Sequence, residues 1–256
     1  MKVNNPDNPL SLLIRDVIIY EEFNNPEKTL LPFFADGYPG LLFQETENGL
    51  LVSPHDKEMP VFFLYGQTIK PIELIMEGNY KLIIIQLYPF VLKQFFNIDP
   101  KSINDNCYDL NALENPLIEA TVKLLQTTDS TTDRIEILND FLYTLFRSKK
   151  ENLDFKIREA IQLILNNKGQ ISINSVYAEL NLHERTFERR FVNEVGITPK
   201  QFSKMIQFQL SLEQLTEKDY DKLTDVVYEN GFADQSHFIK VFKAFTGKTP
   251  KSFLKE

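Results

Sequence analysis

The sequence contains little cysteine and little histidine. Cys107 is its one cysteine, and 3 histidines occur in 256 residues. One cysteine cannot form an internal disulfide or a cysteine-based zinc cluster, and a metal-dependent cupin enzyme is excluded because His55 is the one histidine before residue 154. We interpret Cys107 as a small packed residue, since no histidine lies near it in sequence. The sequence therefore predicts no catalytic residue, no metal site and no cofactor.

Long hydrophobic runs are also missing. The densest apolar stretch, Leu82 to Phe96, is interrupted by Gln86, Lys93 and Gln94 before it could span a bilayer. The first residues lack the charged and apolar segments of an export signal. Together with the single cysteine, these features lead us to expect a cytoplasmic protein without a membrane segment.

The length of 256 residues favours two compact domains. The formal net charge of -8 is unevenly distributed: 13 basic and 22 acidic residues precede Asp154, whereas 15 basic and 14 acidic residues follow from there. We expect the acidic first part to avoid phosphates, while the nearly neutral second part can carry a local basic face.

The first 112 residues alternate short apolar runs with turn signals, which predicts a small, mainly antiparallel sheet or barrel in an α+β domain. Lys81 to Leu87 is predicted as a central strand, followed by a short helix. We interpret the phenylalanine pairs at 33–34, 62–63 and 95–96 as core rather than as a ligand pocket. The apolar runs are Leu10 to Tyr20, Leu41 to Gln44, Val61 to Tyr65, Ile72 to Met76 and Tyr80 to Tyr88.

Residues 113–153 show helical periodicity. It predicts two amphipathic helices, Asn115 to Gln126 and Thr132 to Lys149, and a linker at Arg147 to Asp154. We hypothesise that these helices pack on the sheet and that part of their surface mediates a homodimer. The remaining residues, 154–256, are predicted as an all-α domain that begins with a helix from Phe155 to Asn167.

An internal repeat occupies the all-α domain. Val176 to Phe202 and Val227 to Phe253 superpose without a gap at an offset of 51 residues, with nine identities. Each unit has the pattern of a short helix, a tight turn and a longer helix, which is typical of a helix-turn-helix. A bridging helix from Pro199 to about Gln214 is predicted to fix the spacing of the two units.

The longer helix of each unit has two unlike faces. Phenylalanines four residues apart form a predicted buried seam, and a polar, largely basic face lies opposite. Each helix ends at a glycine. The predicted structural residues are Phe187, Phe191 and Gly196 in the first unit and Phe238, Phe242 and Gly247 in the second.

The segment from about Ile171 to Phe253 resembles the DNA-binding domain of the AraC/XylS family of bacterial transcription regulators, with GFADQSHFIKVFKAFTGKTPKSF as the most recognisable part. The stretches YPGLLFQ and FFLYGQT are similar to an uncharacterised N-terminal domain found on some such regulators. The resemblance implies that the base-facing residues are Arg185, Glu188, Arg189, Ser236, His237 and Lys240. The candidates for phosphate contact on the same domain are Thr186, Lys200, Lys243 and Lys251.

The resemblance implies a sequence-specific transcription factor that reads double-stranded DNA and catalyses no reaction. A small-molecule effector and a homodimer are left open as partners, and contact with RNA polymerase is compatible with this class. A DNA-repair enzyme with a similar domain would need a cysteine cluster, so one cysteine excludes it. A protein-interaction module whose repeat no longer binds DNA stays open as the alternative.

Overall fold

The structure is a computed structural model that describes residues 9–24, 27–54, 56–149 and 153–255. His55 and the middle of the predicted linker, residues 150–152, lie outside the described residues. All strand pairs of the described part are antiparallel, as predicted. The strands are β1 Ile14–Glu22, β2 Lys28–Phe33, β3 Gly40–Thr46, β4 Leu50–Ser53, β5 Lys57–Glu58, β6 Phe62–Tyr65, β7 Ile72–Glu77, β8 Tyr80–Leu87 and β9 Cys107–Asp109.

The strands form two sheets. The five-stranded sheet has the order β1-β8-β3-β6-β9, and the four-stranded sheet has the order β2-β7-β4-β5. The predicted central strand, β8, is interior and pairs with β1 and β3. Its apolar residues do not alternate with polar ones because both faces are covered: Ile83 and Ile85 lie in the larger core, whereas Ile84 lies in the core between the two sheets.

Four strands, β2, β4, β5 and β9, were not predicted from the sequence. Strands β4, β5 and β9 are too short to show an apolar pattern, and β2 contains Pro32, which argues against a strand in the sequence. The start of the first apolar run is also different, since Pro9–Leu12 forms a 3-10 helix and the strand begins only at Ile14.

The helices follow the predicted positions closely. Proline at the first helical position starts α2, α7 and α10, where the missing N–H costs no helical hydrogen bond. The helices are α1 Val91–Phe96, α2 Pro116–Thr127, α3 Thr131–Lys149, α4 Phe155–Asn166, α5 Ile173–Glu179, α6 Glu184–Val195, α7 Pro199–Glu217, α8 Leu223–Glu229, α9 Gln235–Thr246 and α10 Pro250–Phe253.

Helices α2 and α3 pack on the five-stranded sheet, as hypothesised. The ring of Phe141 meets Phe62 edge-on at 6.0 Å. The side chain of Arg134 is only 2% exposed. Its guanidinium pairs with both carboxylate oxygens of Glu45 on β3, and its Nε donates to the carbonyl of Leu125 at 3.1 Å. This arginine therefore ties both helices to the sheet.

The predicted linker is partly wrong. Arg147, Ser148 and Lys149 continue α3, because Leu145 is still buried in that turn and Lys149 Nζ donates to the carbonyl of Phe95 at 2.8 Å. At the other end, Asp154 caps α4 by accepting a hydrogen bond from the backbone N–H of Ile157 at 3.2 Å.

The ungapped repeat needs a correction. The backbone N–H of Leu182 bonds to the carbonyl of Tyr177, and the N–H of Phe232 bonds to that of Val227, so this part of the units is related by 50 residues rather than 51. Four residues separate α5 from α6, and five separate α8 from α9. Tyr228 is consequently 63% exposed and does not occupy the place of the half-buried Tyr177. From α6 and α9 onward the offset of 51 holds.

Replacement of Phe191 or Phe242 by alanine should each lower the free energy of unfolding by about 3 to 5 kcal/mol, because both rings are fully buried. Phe155→Ala is the matched control, since Phe155 is 64% exposed. Urea unfolding followed by circular dichroism measures the three variants. Equal stability of Phe191→Ala, Phe242→Ala and the control would show that the seam is misassigned.

Candidate nucleic-acid interface

Side-chain caps begin one helix in each helix-turn-helix unit. Ser172 Oγ accepts from the N–H of Ser175 at 3.0 Å at the start of α5, and Asp234 Oδ1 accepts from the N–H of His237 at 2.8 Å at the start of α9. His183 makes no such bond, so α6 starts without a side-chain cap. Gly196 and Gly247 end α6 and α9 with φ values of 86° and 76°, which favour glycine.

The predicted seam is buried and the predicted reading face is exposed. Phe187, Phe191, Phe238 and Phe242 have no exposed surface. The side chains opposite them on the first unit are solvent-exposed, and so are their counterparts on the second unit. These exposed residues are Arg185, Glu188 and Arg189 on α6 and Ser236 and Lys240 on α9.

Two candidate residues are less accessible. Thr186 and His237 occupy equivalent positions on α6 and α9, and both are half-buried. The imidazole of His237 packs edge-on against the ring of Phe232 at 5.8 Å. Its Nδ1 is buried without a hydrogen-bond partner among the described residues. His237 therefore lies at the edge of the reading face.

Ile239 is a candidate that sequence reasoning missed. It occupies the position on α9 that Glu188 has on α6, and it is 38% exposed. The offset of 51 residues could have found it, but an isoleucine on a helix is usually assigned to the core.

The lysines predicted to contact phosphate are exposed. Lys243 lies on the last turn of α9, whereas Lys200 and Lys251 are the second residues of α7 and α10. Backbone N–H groups at the start of a long helix also favour anions, so the charge of Lys200 adds to the partial positive charge of the first turn of α7.

The N-terminal domain binds the end of the first recognition helix. Gln67 Nε2 donates to the carbonyl of Val195 at 2.8 Å, and Asn104 Nδ2 donates to the carbonyl of Gly196 at 3.3 Å. A Cβ atom on Gly196 would lie 2.8 Å from Pro100 Cβ, which leaves no room for a side chain. These contacts fix α6 relative to the sheets.

The same domain also contacts α7 and the second unit. Gln209 Nε2 on α7 donates to the carbonyl of Ala35 at 2.6 Å, and Tyr38 packs edge-on against Phe202 at 6.3 Å. The ring of Phe34 meets Phe253 in α10 at 5.7 Å. The apolar core is therefore continuous from the five-stranded sheet into both helix-turn-helix units.

A cavity of about 690 Å³ lies between the two sheets. Its walls are mostly apolar, and they include Phe33 and Phe63, which we had assigned to the core. Cys107 also faces it, with Sγ 3.7 Å from Met59 Sδ. The polar residues that line it are Asp36, Lys57, Tyr65, Thr68, Lys70, Asn104, Asp105 and Asn106.

Asp36 is the strongly perturbed acid of this cavity. Burial raises the pKa of its carboxyl to about 7, although the Tyr38 backbone N–H and the charge of Arg15 act in the opposite direction. Its Oδ2 accepts from Gln86 Nε2 at 3.0 Å, and its Oδ1 accepts from the N–H of Tyr38 at 3.1 Å. Burial likewise raises the pKa of the Tyr65 hydroxyl.

Within the described residues, no three or more histidine, cysteine, aspartate or glutamate side chains come together in a way that could hold a metal ion. No helix in that part of the chain combines the length and apolar character needed to cross a membrane.

Comparisons with known proteins agree with the two-domain description. Residues 176–256 match the family model "Helix-turn-helix domain", and residues 2–109 match the model "Domain of unknown function (DUF6597)". Among curated proteins, the chain is 28% identical over 104 residues to the HTH-type transcriptional regulator MtrA of Neisseria gonorrhoeae, covering 40% of this chain and 34% of that protein. It is 31% identical over 67 residues to the HTH-type transcriptional activator RhaS of Yersinia pestis, covering 26% of this chain and 24% of RhaS.

An uncharacterized HTH-type transcriptional regulator of Staphylococcus aureus is 20% identical over 166 residues, which is 62% of this chain and 22% of that relative. The chain thus spans about a fifth of the length of these staphylococcal relatives. Among solved structures, ToxT of Vibrio cholerae is 14% identical to this chain. The match covers 94% of this chain and 97% of the ToxT chain, with a TM-score of 0.49. The C-terminal domain of this chain is therefore similar to the helix-turn-helix domains of HTH-type transcriptional regulators, in agreement with the resemblance of its sequence to the AraC type.

Asp36→Asn should flatten the pH dependence of stability. The pKa of Asp36 is about 7 in the folded chain against an ordinary 3.8, so the folded state binds this proton more tightly than the unfolded state. The contribution of the protonated carboxyl is complete below the ordinary pKa and is lost as the pH rises through the folded pKa. Relative to Asp36→Asn, the parent should therefore become less stable between about pH 5 and about pH 8.

Urea unfolding at both pH values measures this difference, with Asp221→Asn as the exposed control. A gap between the parent and Asp36→Asn that is the same at both pH values would contradict the assigned pKa.

Proposed function

We propose that this protein is a cytoplasmic bacterial transcription regulator that binds one specific duplex sequence with both helix-turn-helix units. The observation that carries this proposal is the pair of exposed polar faces on α6 and α9, each opposite a buried phenylalanine seam. The 19-residue helix α7 joins the units. Recognition helices held in this way insert into successive major-groove segments about 34 Å apart.

The side chains on these faces suit particular bases. Arg185 and Arg189 can each donate two hydrogen bonds to guanine O6 and N7, and Glu188 can accept from cytosine N4. On α9, Lys240 can donate to guanine, Ser236 suits several bases, and Ile239 can contact the methyl group of thymine. His237 reaches the groove only if its ring leaves Phe232.

The phosphate contacts are assigned to residues at the margins of the two helices. Lys200, Lys243 and Lys251 are exposed there, and Thr186 can donate its hydroxyl. Such contacts orient the protein on the duplex but do not select the sequence.

The alternative, an interaction module without DNA binding, predicts a different behaviour in salt. Phosphate neutralisation releases counterions, so affinity for a random duplex should fall steeply as salt increases. A module that binds proteins alone would retain no duplex at low salt.

A second function, the sensing of a small molecule, is favoured by the cavity between the sheets. It is large enough for a metabolite-sized ligand, and its mostly apolar walls also carry polar side chains that can hydrogen-bond a ligand. The effector would be mostly apolar, with a polar group that hydrogen-bonds near Asp36 or Thr68. Binding of an effector in this cavity would alter the affinity for DNA through Asn104, which lines the cavity and donates a hydrogen bond to the end of α6.

The homodimer and a contact with RNA polymerase stay hypotheses. Leu124 on α2 and Tyr143 on α3 are exposed apolar side chains available for self-association. Light scattering of the purified chain over a range of concentrations would detect the dimer, and a constant monomer mass would reject it.

Arg189→Ala and Lys240→Ala should each weaken binding to the selected DNA site without unfolding the protein, because both side chains are exposed. Because both side chains are assigned to bases, each loss should cost about 1 to 3 kcal/mol of discrimination at one position, whereas loss of a phosphate-binding lysine such as Lys200 would weaken binding to all sequences alike. Mobility-shift titrations on sites selected from random DNA provide the measurement. Lys123→Ala, an exposed lysine of α2, is the control, and parental affinity in both test variants would refute the assigned faces.

Val52→Trp should abolish effector binding because the indole would fill the cavity, which Val52 lines from β4. A compound that stabilises the parent by about 2.7 kcal/mol at a hundredfold excess over its Kd should leave this variant unchanged. Leu51→Trp is the control, since Leu51 is exposed on the other face of the same strand. Thermal unfolding with a metabolite panel measures both, and equal stabilisation of Val52→Trp would place the ligand elsewhere.

A further inference from the structure

The reading face of α6 continues into the N-terminal domain. An open groove of about 530 Å³ runs along this face, with Arg185, Glu188 and Arg189 on the side of the recognition helix. Its opposite side is formed by Asp99 and Lys101. Both residues are exposed and belong to a 3-10 turn, Pro100–Ile103, and its cap.

This turn is held rigidly against α6. The N–H of Lys101 donates to Asp99 Oδ1 at 3.1 Å, which closes the turn. Pro100 packs so closely on Gly196 that a Cβ on this glycine would lie 3.1 Å from the backbone nitrogen of Lys101. The hydrogen bond from Asn104 to the carbonyl of Gly196 secures the same contact. The backbone of Lys101 therefore keeps a fixed position relative to α6.

A recognition helix in a major groove has a sugar–phosphate backbone on each side, because the groove is only about 12 Å wide. Side chains that border the reading face therefore lie where phosphates pass, and phosphate and sugar receive half or more of the hydrogen bonds in such complexes. A lysine there gains attraction, whereas an aspartate is repelled.

We propose that the turn Pro100–Ile103 of the N-terminal domain is part of the DNA interface, with Lys101 binding a backbone phosphate beside the segment read by α6. Asp99 weakens this contact through its negative charge. The proposal rests on the proposed DNA-binding function and changes one expectation from the sequence, namely that the acidic N-terminal part avoids phosphates. The charge at the groove, rather than the net charge of the domain, decides the contact.

Two substitutions with opposite expected effects test the proposal in the full chain. Lys101→Ala should weaken binding to the selected site and to random duplex by a similar factor, about threefold to tenfold, and reduce the slope of log affinity against log salt by about one. Asp99→Asn should strengthen both, because an asparagine oxygen can still accept from the N–H of Lys101 while the charge is removed. Lys123→Ala is the matched lysine control.

Circular dichroism and thermal unfolding verify that the variants are folded. Parental affinity and salt slope in Lys101→Ala would overturn the proposal, and so would tighter binding, since the turn would then obstruct DNA. In either case the proposed function still stands if the parent retains a specific duplex and Arg189→Ala loses it. If the parent retains no duplex at any salt concentration, the proposed function itself is wrong.

Discussion

The attachment of side-chain amides to the carbonyl end of α6 is the constraint on which the arrangement of the two domains depends. The last carbonyls of a helix have no partner within it. Here Gln67 and Asn104 satisfy those of Val195 and Gly196. The glycine permits this approach because Pro100 occupies the space of a side chain. With α6 fixed in this way, α7 carries the second unit at a set distance.

The loops that donate hydrogen bonds to the end of α6 also line the cavity between the two sheets. Asp105 joins them, since its Oδ1 accepts from the N–H groups of Ile69 and Lys70 at 2.6 and 2.9 Å. Gly66, Thr68 and Asn104 line the cavity, while Gln67 and Asn104 donate hydrogen bonds to the end of α6. The same few hydrogen bonds therefore connect the wall of the cavity to the end of α6.

Local patterns made much of the fold predictable. The phenylalanine spacing involves only neighbouring residues, and it placed the buried and exposed faces of α6 and α9 correctly. The hydrogen bonds to the end of α6 and the cavity between the sheets were not predictable. They bring together residues as distant in sequence as Gln67 and Val195, and no sequence pattern relates such residues. The extra residue between α8 and α9 was hidden because a chance Val-Tyr match favoured the ungapped superposition. Which exposed residues touch DNA stays a prediction.

The exposed faces of α6 and α9 occupy equivalent positions in the two units, but they carry different side chains. Arg185, Glu188 and Arg189 on α6 correspond to Ser236, Ile239 and Lys240 on α9. A chain that reads DNA with two unlike faces requires an asymmetric site, and it can lie on that site in one direction only. Inverting the site within a promoter would carry the N-terminal domain to the other side of the binding site. The orientation of the site, as well as its sequence, would then decide which neighbours on the DNA this domain can meet.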